Sequence, residues 1–266
     1  MCLVKMDDLS GIVDDLRKKY CGLSGEVCYN ERRQWALREY CRKENRMNQV
    51  NYQKELEKIL NTLQEKGEAA PDYRPPRLFL HSCCAPCSSY CLEYLCRYFL
   101  ITVFYYNPNI SFSEEYQKRV AEQKRLIAAY NKEEKGWPID IVEGDYEPER
   151  FYEMAKGYEN CPEGGERCFR CFDLRLRRTA EQAAGGGYDY FATTLTISPL
   201  KNAAKINEIG QILSGEYGIP WLPSDFKKKN GYKRSIELSA EYELYRQNYC
   251  GCAFSKAERE AQITNA

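Results

Sequence analysis

From residue 77 onward, short apolar runs alternate with longer segments in which apolar residues recur every three or four positions. The short runs predict strands, and the longer segments predict helices that bury one face. The predicted strands are 77–82, 100–106, 139–143, 188–193 and a short one near 219–222. The predicted helices are about 86–98, 113–131, near 148–156, 168–184, 202–214 and a last one within 231–252. This alternation favours parallel βαβ units, so the predicted fold class is α/β, a doubly wound, mainly parallel sheet with flanking helices.

Residues 1–75 differ from the rest because they are highly charged and show helical spacing only. The apolar residues at this spacing are Trp35, Leu37 and Tyr40, followed by Tyr52, Leu56, Ile59, Leu60 and Leu63. A segment rich in proline and glycine, 67–76, closes the region. We therefore predict a helical N-terminal extension at 1–75, packed on an α/β domain at 76–266 that carries the chemistry.

Composition narrows the functional classes. The 266 residues include 39 Lys and Arg and 39 Asp and Glu, so only local patches could attract a polyanion. The amino terminus has no apolar signal core, and the longest nearly apolar run, 98–106, is too short for a bilayer. We expect a soluble cytoplasmic protein without a membrane partner. In that reducing compartment the 14 cysteines favour metal ligation or redox chemistry over a disulfide framework.

Two cysteine motifs predict a metal site. Cys83-Cys84-x-x-Cys87 follows the first strand, at the sheet edge where α/β proteins bind ligands. Cys168-x-x-Cys171 begins a helix, and its spacing is typical of half of a metal or cluster site. Zinc is one candidate. Adjacent cysteine side chains are expected to diverge, however, and an iron–sulfur cluster lets Cys83 and Cys84 bind different irons, so we favour the cluster.

Cys250-Gly-Cys252 indicates a different chemistry. A disulfide across so short a loop is strained, and strained disulfides are readily reduced, so the pair is a candidate two-electron store. Two further metal ligands, or an idle pair, are the alternatives. His81, the only histidine, is predicted to be a structural, hydrogen-bonded residue.

Two groups of basic residues flank these cysteine motifs and indicate that a polyanion is brought to the metal. The first group is Arg167, Arg170, Arg175, Arg177 and Arg178. The second group is Lys227, Lys228, Lys229, Lys233 and Arg234.

From about 77 to 252, the chain resembles the QueH type of epoxyqueuosine reductase. The motifs that carry the resemblance are Cys83-Cys-Ala-Pro-Cys87, Tyr106-Asn-Pro-Asn-Ile110, Glu163-Gly-Gly-Glu-Arg-Cys-Phe-Arg-Cys171, Thr193-Thr-Leu195 with Ser198, Pro199 and Lys201, and Tyr245-Arg-Gln-Asn-Tyr-Cys-Gly-Cys252. The resemblance implies that Cys83, Cys84, Cys168 and Cys171 bind a 4Fe-4S cluster. It also implies that Cys250 and Cys252 form a redox-active disulfide. Some members have aspartate at the position of Cys87, which is associated with a second, single metal, a mononuclear iron, beside the cluster.

The resemblance further implies an activity. Such enzymes reduce the epoxide of epoxyqueuosine, at the wobble position of tRNA, to the alkene of queuosine. The reaction needs two electrons and two protons, so an electron donor is a required partner beside the tRNA, and the sequence does not identify it. The candidate proton donors are His81, Tyr105, Tyr106, Lys201 and a metal-bound water.

Two alternatives belong to other classes. One is a zinc-stabilised RNA-binding protein without catalysis. The other is a tRNA sulfur-transfer enzyme, because the predicted sheet is also that of nucleotide-hydrolase (PP-loop) folds. Such an enzyme needs a glycine-rich phosphate loop after the first strand, and residues 83–87 occupy that place.

Overall fold

The computed structural model describes residues 50–70 and 72–264 of the chain. The predicted helical segment with Trp35, Leu37 and Tyr40 lies outside these residues.

The described residues contain one sheet of four parallel strands in the order β3-β2-β1-β4. The strands are β1 (Arg77–His81), β2 (Leu100–Tyr105), β3 (Ile139–Glu143) and β4 (Tyr190–Thr193). Leu80 is paired with Val103 of β2 and with Ala192 of β4, so β1 lies at the centre. The chain runs outward from β1 to β3 and then returns to the other side of β1. Open α/β sheets bind ligands beside such a reversal, at the carboxyl ends of the strands.

Eight helices and one 3₁₀ turn (Thr194–Ile197) accompany the sheet in the described residues. The helices are α1 (Tyr52–Ala69), α2 (Ala85–Leu95), α3 (Ser113–Lys132), α4 (Pro148–Ala155), α5 (Glu166–Gly185), α6 (Ala203–Tyr217), α7 (Gly231–Glu241) and α8 (Ala253–Thr264). The predicted α/β class with a parallel sheet is confirmed. No helix in this part of the chain combines the length and the apolar character needed to cross a bilayer.

Two predicted elements differ from the structure. The strand near 219–222 is reduced to a single parallel bridge between Phe191 and Trp221, because prolines on both sides of this bridge cannot donate to a ladder. The helix predicted to continue to residue 252 ends at Glu241, where Glu243 adopts a left-handed conformation with φ 49°. Cys250 and Cys252 therefore lie in an irregular segment that leads into α8.

The core has a layer on each face of the sheet. Leu78 and Leu80 pack in one layer, and the alternate residue Phe79 packs in the other, as the two-residue period of a strand requires. Helix α1 buries Leu56, Leu60 and Leu63 in the first layer. Each such side chain contributes about 1.5 to 3 kcal/mol when fully buried, so α1 is firmly attached to the α/β core.

Candidate metal centre

Three thiols meet where the central strand ends. After β1 the chain passes through Cys83 and Cys84 into α2, and Pro86 occupies the first turn of this helix, where no N–H is needed. The sulfur atoms of Cys83, Cys84 and Cys87 all lie within 4.8 Å of one another. We call these residues the thiol triad. It lies at the sheet edge where the sequence places it.

The spacing within the thiol triad corrects one argument from the sequence. The sulfur atoms of Cys83 and Cys84 are 3.9 Å apart, so these adjacent side chains converge instead of diverging. The chain turns from strand into helix at Cys84, and strand alternation no longer separates the two side chains. Tetrahedral zinc with bonds of 2.3 Å needs sulfur atoms about 3.8 Å apart. The triad alone is therefore compatible with zinc. The choice between zinc and an iron–sulfur cluster depends on the remaining cysteines.

Those remaining cysteines lie around a small cavity of about 20 Å³. Cys168 and Cys171 reach it from the first turn of α5, and Cys250 and Cys252 reach it from the loop before α8. Cys168 also packs in the same apolar cluster as Cys83 and Cys84. Among the described residues, only the thiol triad has the close spacing of ligands to one ion. The structure thus gathers the predicted thiols into one region, but not around a single ion.

A larger cavity of about 560 Å³ opens onto the thiol triad. Cys250 lines it together with the triad, and Cys250 also lines the small cavity. This volume lies in the range of sites that enclose a small molecule. Cys250 is therefore placed between the ligand-sized space and the cysteines of α5.

Buried positive charge surrounds these thiols. Arg175 is fully buried; its Nε donates to the carbonyl of Cys171 at 3.3 Å and its Nη1 to Asn107 Oδ1 at 3.2 Å. Its Nη2 has no partner among the described residues. Burial acts to lower the pKa of Arg175, but the sulfur atoms around it, that of Cys171 first, together raise this pKa overall. A buried cation without a carboxylate favours negative charge on the sulfur atoms nearby.

Lys201 supplies a second cation at the larger cavity. Burial acts to lower the pKa of Lys201, but the nearby sulfur atoms of Cys250 and Cys83 raise it overall. The pKa of Cys83 is held well below its usual range, first by hydrogen bonds from Cys84 and Cys87 and then by Lys201. In contrast, burial raises the pKa of Cys171 to about 11. Within the triad these shifts favour the thiolate at Cys83, whereas a metal bound by Cys171 would have to displace its proton.

The Cys250-Gly-Cys252 loop is held by the segment that contains the Asn-Pro-Asn motif. The carbonyl of Cys250 accepts a hydrogen bond from Arg119 Nη1 at 3.0 Å, and that of Gly251 accepts one from Ser111 N at 3.1 Å. Gly251 has φ +126°, and a Cβ there would lie 2.9 Å from Ile110. Only glycine fits between the two cysteines, so the positions of both sulfur atoms are set by backbone contacts.

Arg119 was not singled out from the sequence. It lies four residues after Glu115 in α3, a spacing that indicates an ordinary surface pair. In the structure its side chain is only 2% exposed, its Nε contacts Glu115 at 2.6 Å, and it lines the larger cavity. Arg119 lies on the buried face of α3 with Tyr116, Val120 and Gln123, so the helical period carried a signal that the charge of the side chain masked.

The candidate proton donors occupy different environments. His81 is fully buried, with Nδ1 2.8 Å from Thr193 Oγ1 and Nε2 3.1 Å from the carbonyl of Tyr106. Burial and the charge of Arg175 lower its pKa to about 3, so the imidazole is neutral and structural, as predicted. Tyr105 and Tyr106 are also fully buried. Of the four candidate side chains, only Lys201 lines the larger cavity within the described residues.

Most side chains of the two predicted basic groups are buried or paired with carboxylates, and the delivery of a polyanion by these groups stays a prediction. Arg167 and Arg175 are buried, whereas Arg170, Arg177 and Arg178 pair with carboxylates. In the second group, four side chains pair with carboxylates in the same way, namely Lys227, Lys229, Lys233 and Arg234. Most of these carboxylates lie only two to four residues away along the chain, as Glu166 does from Arg170 and Asp225 from Lys227.

Arg167 has a structural role that can be tested. It is 2% exposed and donates to the carbonyls of Tyr158 and Glu159, at 3.2 and 2.8 Å, and to Glu258 of α8 at 3.1 Å. We expect Arg167→Met to lower the free energy of unfolding by roughly 2 to 4 kcal/mol in chemical denaturation, because these acceptors lose their donor. Arg170→Met, which removes an exposed pair at 3.4 Å, should cost less than about 1 kcal/mol. Equal losses in the two variants would contradict this role.

Comparison with known proteins gives a family match over the segment that contains these cysteines. The family model described as epoxyqueuosine reductase QueH matches residues 78–258, which span all three cysteine motifs. A protein of that name from Staphylococcus epidermidis is 44% identical over 208 residues, covering 77% of this chain and 84% of the relative. One from Streptococcus pyogenes is 40% identical, covering 82% and 83%, and one from Thermotoga maritima is 36% identical, covering 68% and 91%. The chain therefore belongs to the epoxyqueuosine reductase QueH family.

Proposed function

We propose that this protein is an epoxyqueuosine reductase that removes the epoxide oxygen of epoxyqueuosine at the wobble position of tRNA and gives queuosine. The observation that carries the proposal is a cavity of about 560 Å³ lined by the thiol triad and by Cys250, which also meets the cysteines of α5 at the small cavity. A cavity of that size can enclose one modified nucleoside. A single-stranded anticodon loop can present such a nucleoside, because its bases can be turned outward.

The cysteines fit a 4Fe-4S cluster bound by Cys83, Cys84, Cys168 and Cys171. Two observations support the fit: the ligands come from two helix starts, and the fully buried Arg175 has an unpartnered Nη2 in the part of the chain described. A buried cation of this kind calls for an anion, and a cluster with four thiolates carries negative charge. When bound, the cluster supplies one-electron transfer and a Lewis-acidic iron. Cys87 is the candidate ligand of a second, single iron.

Lys201 acts on the substrate, and Cys250 and Cys252 supply electrons. Lys201 places a positive charge in the larger cavity, where it would stabilise the oxygen that leaves carbon. Cys250 and Cys252 hold the equivalent of two electrons and two protons as a dithiol. Oxidation of this dithiol to a disulfide balances the conversion of epoxide to alkene and water. A separate electron donor then reduces the disulfide again.

A second candidate function is a zinc-stabilised RNA-binding protein. The 3.9 Å between the sulfur atoms of Cys83 and Cys84 favours it, since this distance suits one zinc ion. A sulfur-transfer enzyme has less support, because the turn after β1 carries the thiol triad in place of a phosphate loop.

The deciding experiment is metal and sulfide analysis of anaerobically purified protein, followed by incubation with epoxyqueuosine tRNA and a chemical reductant. We expect about four irons and four sulfides per chain, with any excess iron assigned to the site of Cys87, and conversion to queuosine. One zinc without sulfide, persisting after attempted reconstitution with iron and sulfide, would reject the reductase in favour of the zinc protein.

A further inference from the structure

We infer that the mouth of the larger cavity is the surface that binds the single-stranded loop of the RNA substrate, an inference that rests on the proposed function. We call this surface the rim and define it as Leu200, Tyr232, Arg246, Arg259 and Ile263, all of which line the cavity. The rim combines exposed apolar side chains with cations that lack carboxylate partners.

The apolar part of the rim is unusually exposed for this protein. Ile263 is 66% exposed and Leu200 58%, the two highest values among the exposed large hydrophobic residues, and Tyr232 is 36% exposed. Residues in α8, α7 and the segment before α6 contribute these side chains, so three separate elements direct apolar surface to one opening. Unstacked bases pack favourably on aromatic and aliphatic side chains of this kind.

The charged part of the rim differs from the two basic groups described above, because its arginines bind neutral partners. Arg246 donates to Ser239 Oγ at 3.0 Å, and Arg259 donates to Gln262 Oε1 at 2.8 Å. Neither arginine pairs with a carboxylate in the described part of the chain. Arg119 and Lys201 add two cations deeper in the cavity, and Glu163 is the only carboxylate among the lining residues described. Phosphate groups are suitable partners for the guanidinium groups of Arg246 and Arg259.

The shape of the opening favours RNA over a protein partner. A redox protein needs only a docking face, whereas here the rim borders a cavity of about 560 Å³ that the thiol triad also lines. A nucleoside turned out of a loop would fill that volume, and its flanking phosphates would lie beside Arg246 and Arg259. The rim thus fits the neighbours of the modified nucleotide, not only the nucleotide itself.

The test measures binding of unmodified substrate tRNA to the full-length, metal-loaded protein at several salt concentrations. We expect R246Q and R259Q each to weaken binding about 5- to 10-fold at low salt. Each should also reduce the slope of log K against log salt by about 0.7. Y232A should weaken binding by about 5-fold or more through loss of stacking. R177Q is the matched control: it removes the same charge from an ion pair of α5 and should bind as the original protein does.

Iron content, sulfide content and melting temperature should be unchanged in the rim variants, which separates RNA contacts from folding defects. If the original protein reduces epoxyqueuosine tRNA while R246Q and R259Q bind tRNA normally, the inference fails and the proposed function stands. If the original protein binds no tRNA, both fail. If the variants bind tRNA normally but are slow only with a protein electron donor, the rim docks that donor and the inference is wrong.

Discussion

Replacing Cys171 with serine is expected to remove iron and sulfide from the purified protein and to lower reductase turnover more than about 100-fold. Losing a residue that supports a metal ligand costs about 10- to 100-fold in metal affinity or activity, and losing the ligand itself should cost more. Cys171 is buried in the first turn of α5 and lines the small cavity. A serine hydroxyl occupies almost the same volume but does not provide the thiolate that iron binds. Iron and sulfide analysis, the visible absorption spectrum and turnover of epoxyqueuosine tRNA measure the change.

Cys161→Ser is the matched control. Cys161 is a half-buried thiol in the loop before α5, and it lines neither cavity. This variant should keep full iron content and activity. Normal iron and sulfide in Cys171→Ser would show that the helix α5 thiols do not bind the cluster, and the proposed ligand set would have to be abandoned.

Cys250→Ser and Cys252→Ser should keep the iron and sulfide content but lose repeated turnover by at least about 100-fold, because the two thiols act as a unit. The proposed role requires that both sulfur atoms exchange electrons with the substrate site. Cys250 lines both cavities, and Cys252 lies beside it in the small one. Burial raises the pKa of Cys252 to about 12, so Cys252 remains a protonated thiol at neutral pH.

This second result is measured as product formed per enzyme, first with one equivalent of substrate and then with excess. Thiol trapping and peptide mass spectrometry follow the disulfide in the original protein during turnover. Full activity of both variants with excess substrate would eliminate the redox role. Loss of iron in either variant would instead assign that cysteine to the metal site, the alternative left open by the sequence.

Local patterns account for what the sequence could predict. The apolar run that ends in Cys83 and Cys84 predicts both β1 and the position of the thiol triad, because strand, turn and helix start are encoded within about ten neighbouring residues. Cys168-x-x-Cys171 places two sulfur atoms on one turn of α5 for the same reason. These parts of the candidate site are short-range features, and the structure reproduces their positions.

Contacts between segments that are distant in the sequence could not be predicted from local patterns. Arg119 donates to the carbonyl of Cys250 and Arg175 donates to Asn107, and both contacts join segments far apart in the chain. The neutralisation of Arg177 by Glu216 joins α5 to α6. A charge count along the chain treats these arginines alike, although one holds a loop, one faces the thiols and one is a surface pair. Only the fold distinguishes them.

The order of the elements along the chain also determines when the site can be completed during synthesis. The thiol triad leaves the ribosome early, whereas the cysteines of α5 and of the Cys250 loop emerge after most of the sheet has been made. A nascent chain that ends before α5 contains the three cysteines of the thiol triad but not the cysteines of α5 and of the Cys250 loop. The proposed cluster could therefore be loaded only after the C-terminal part is made, and metals that capture isolated thiols would compete with it until then.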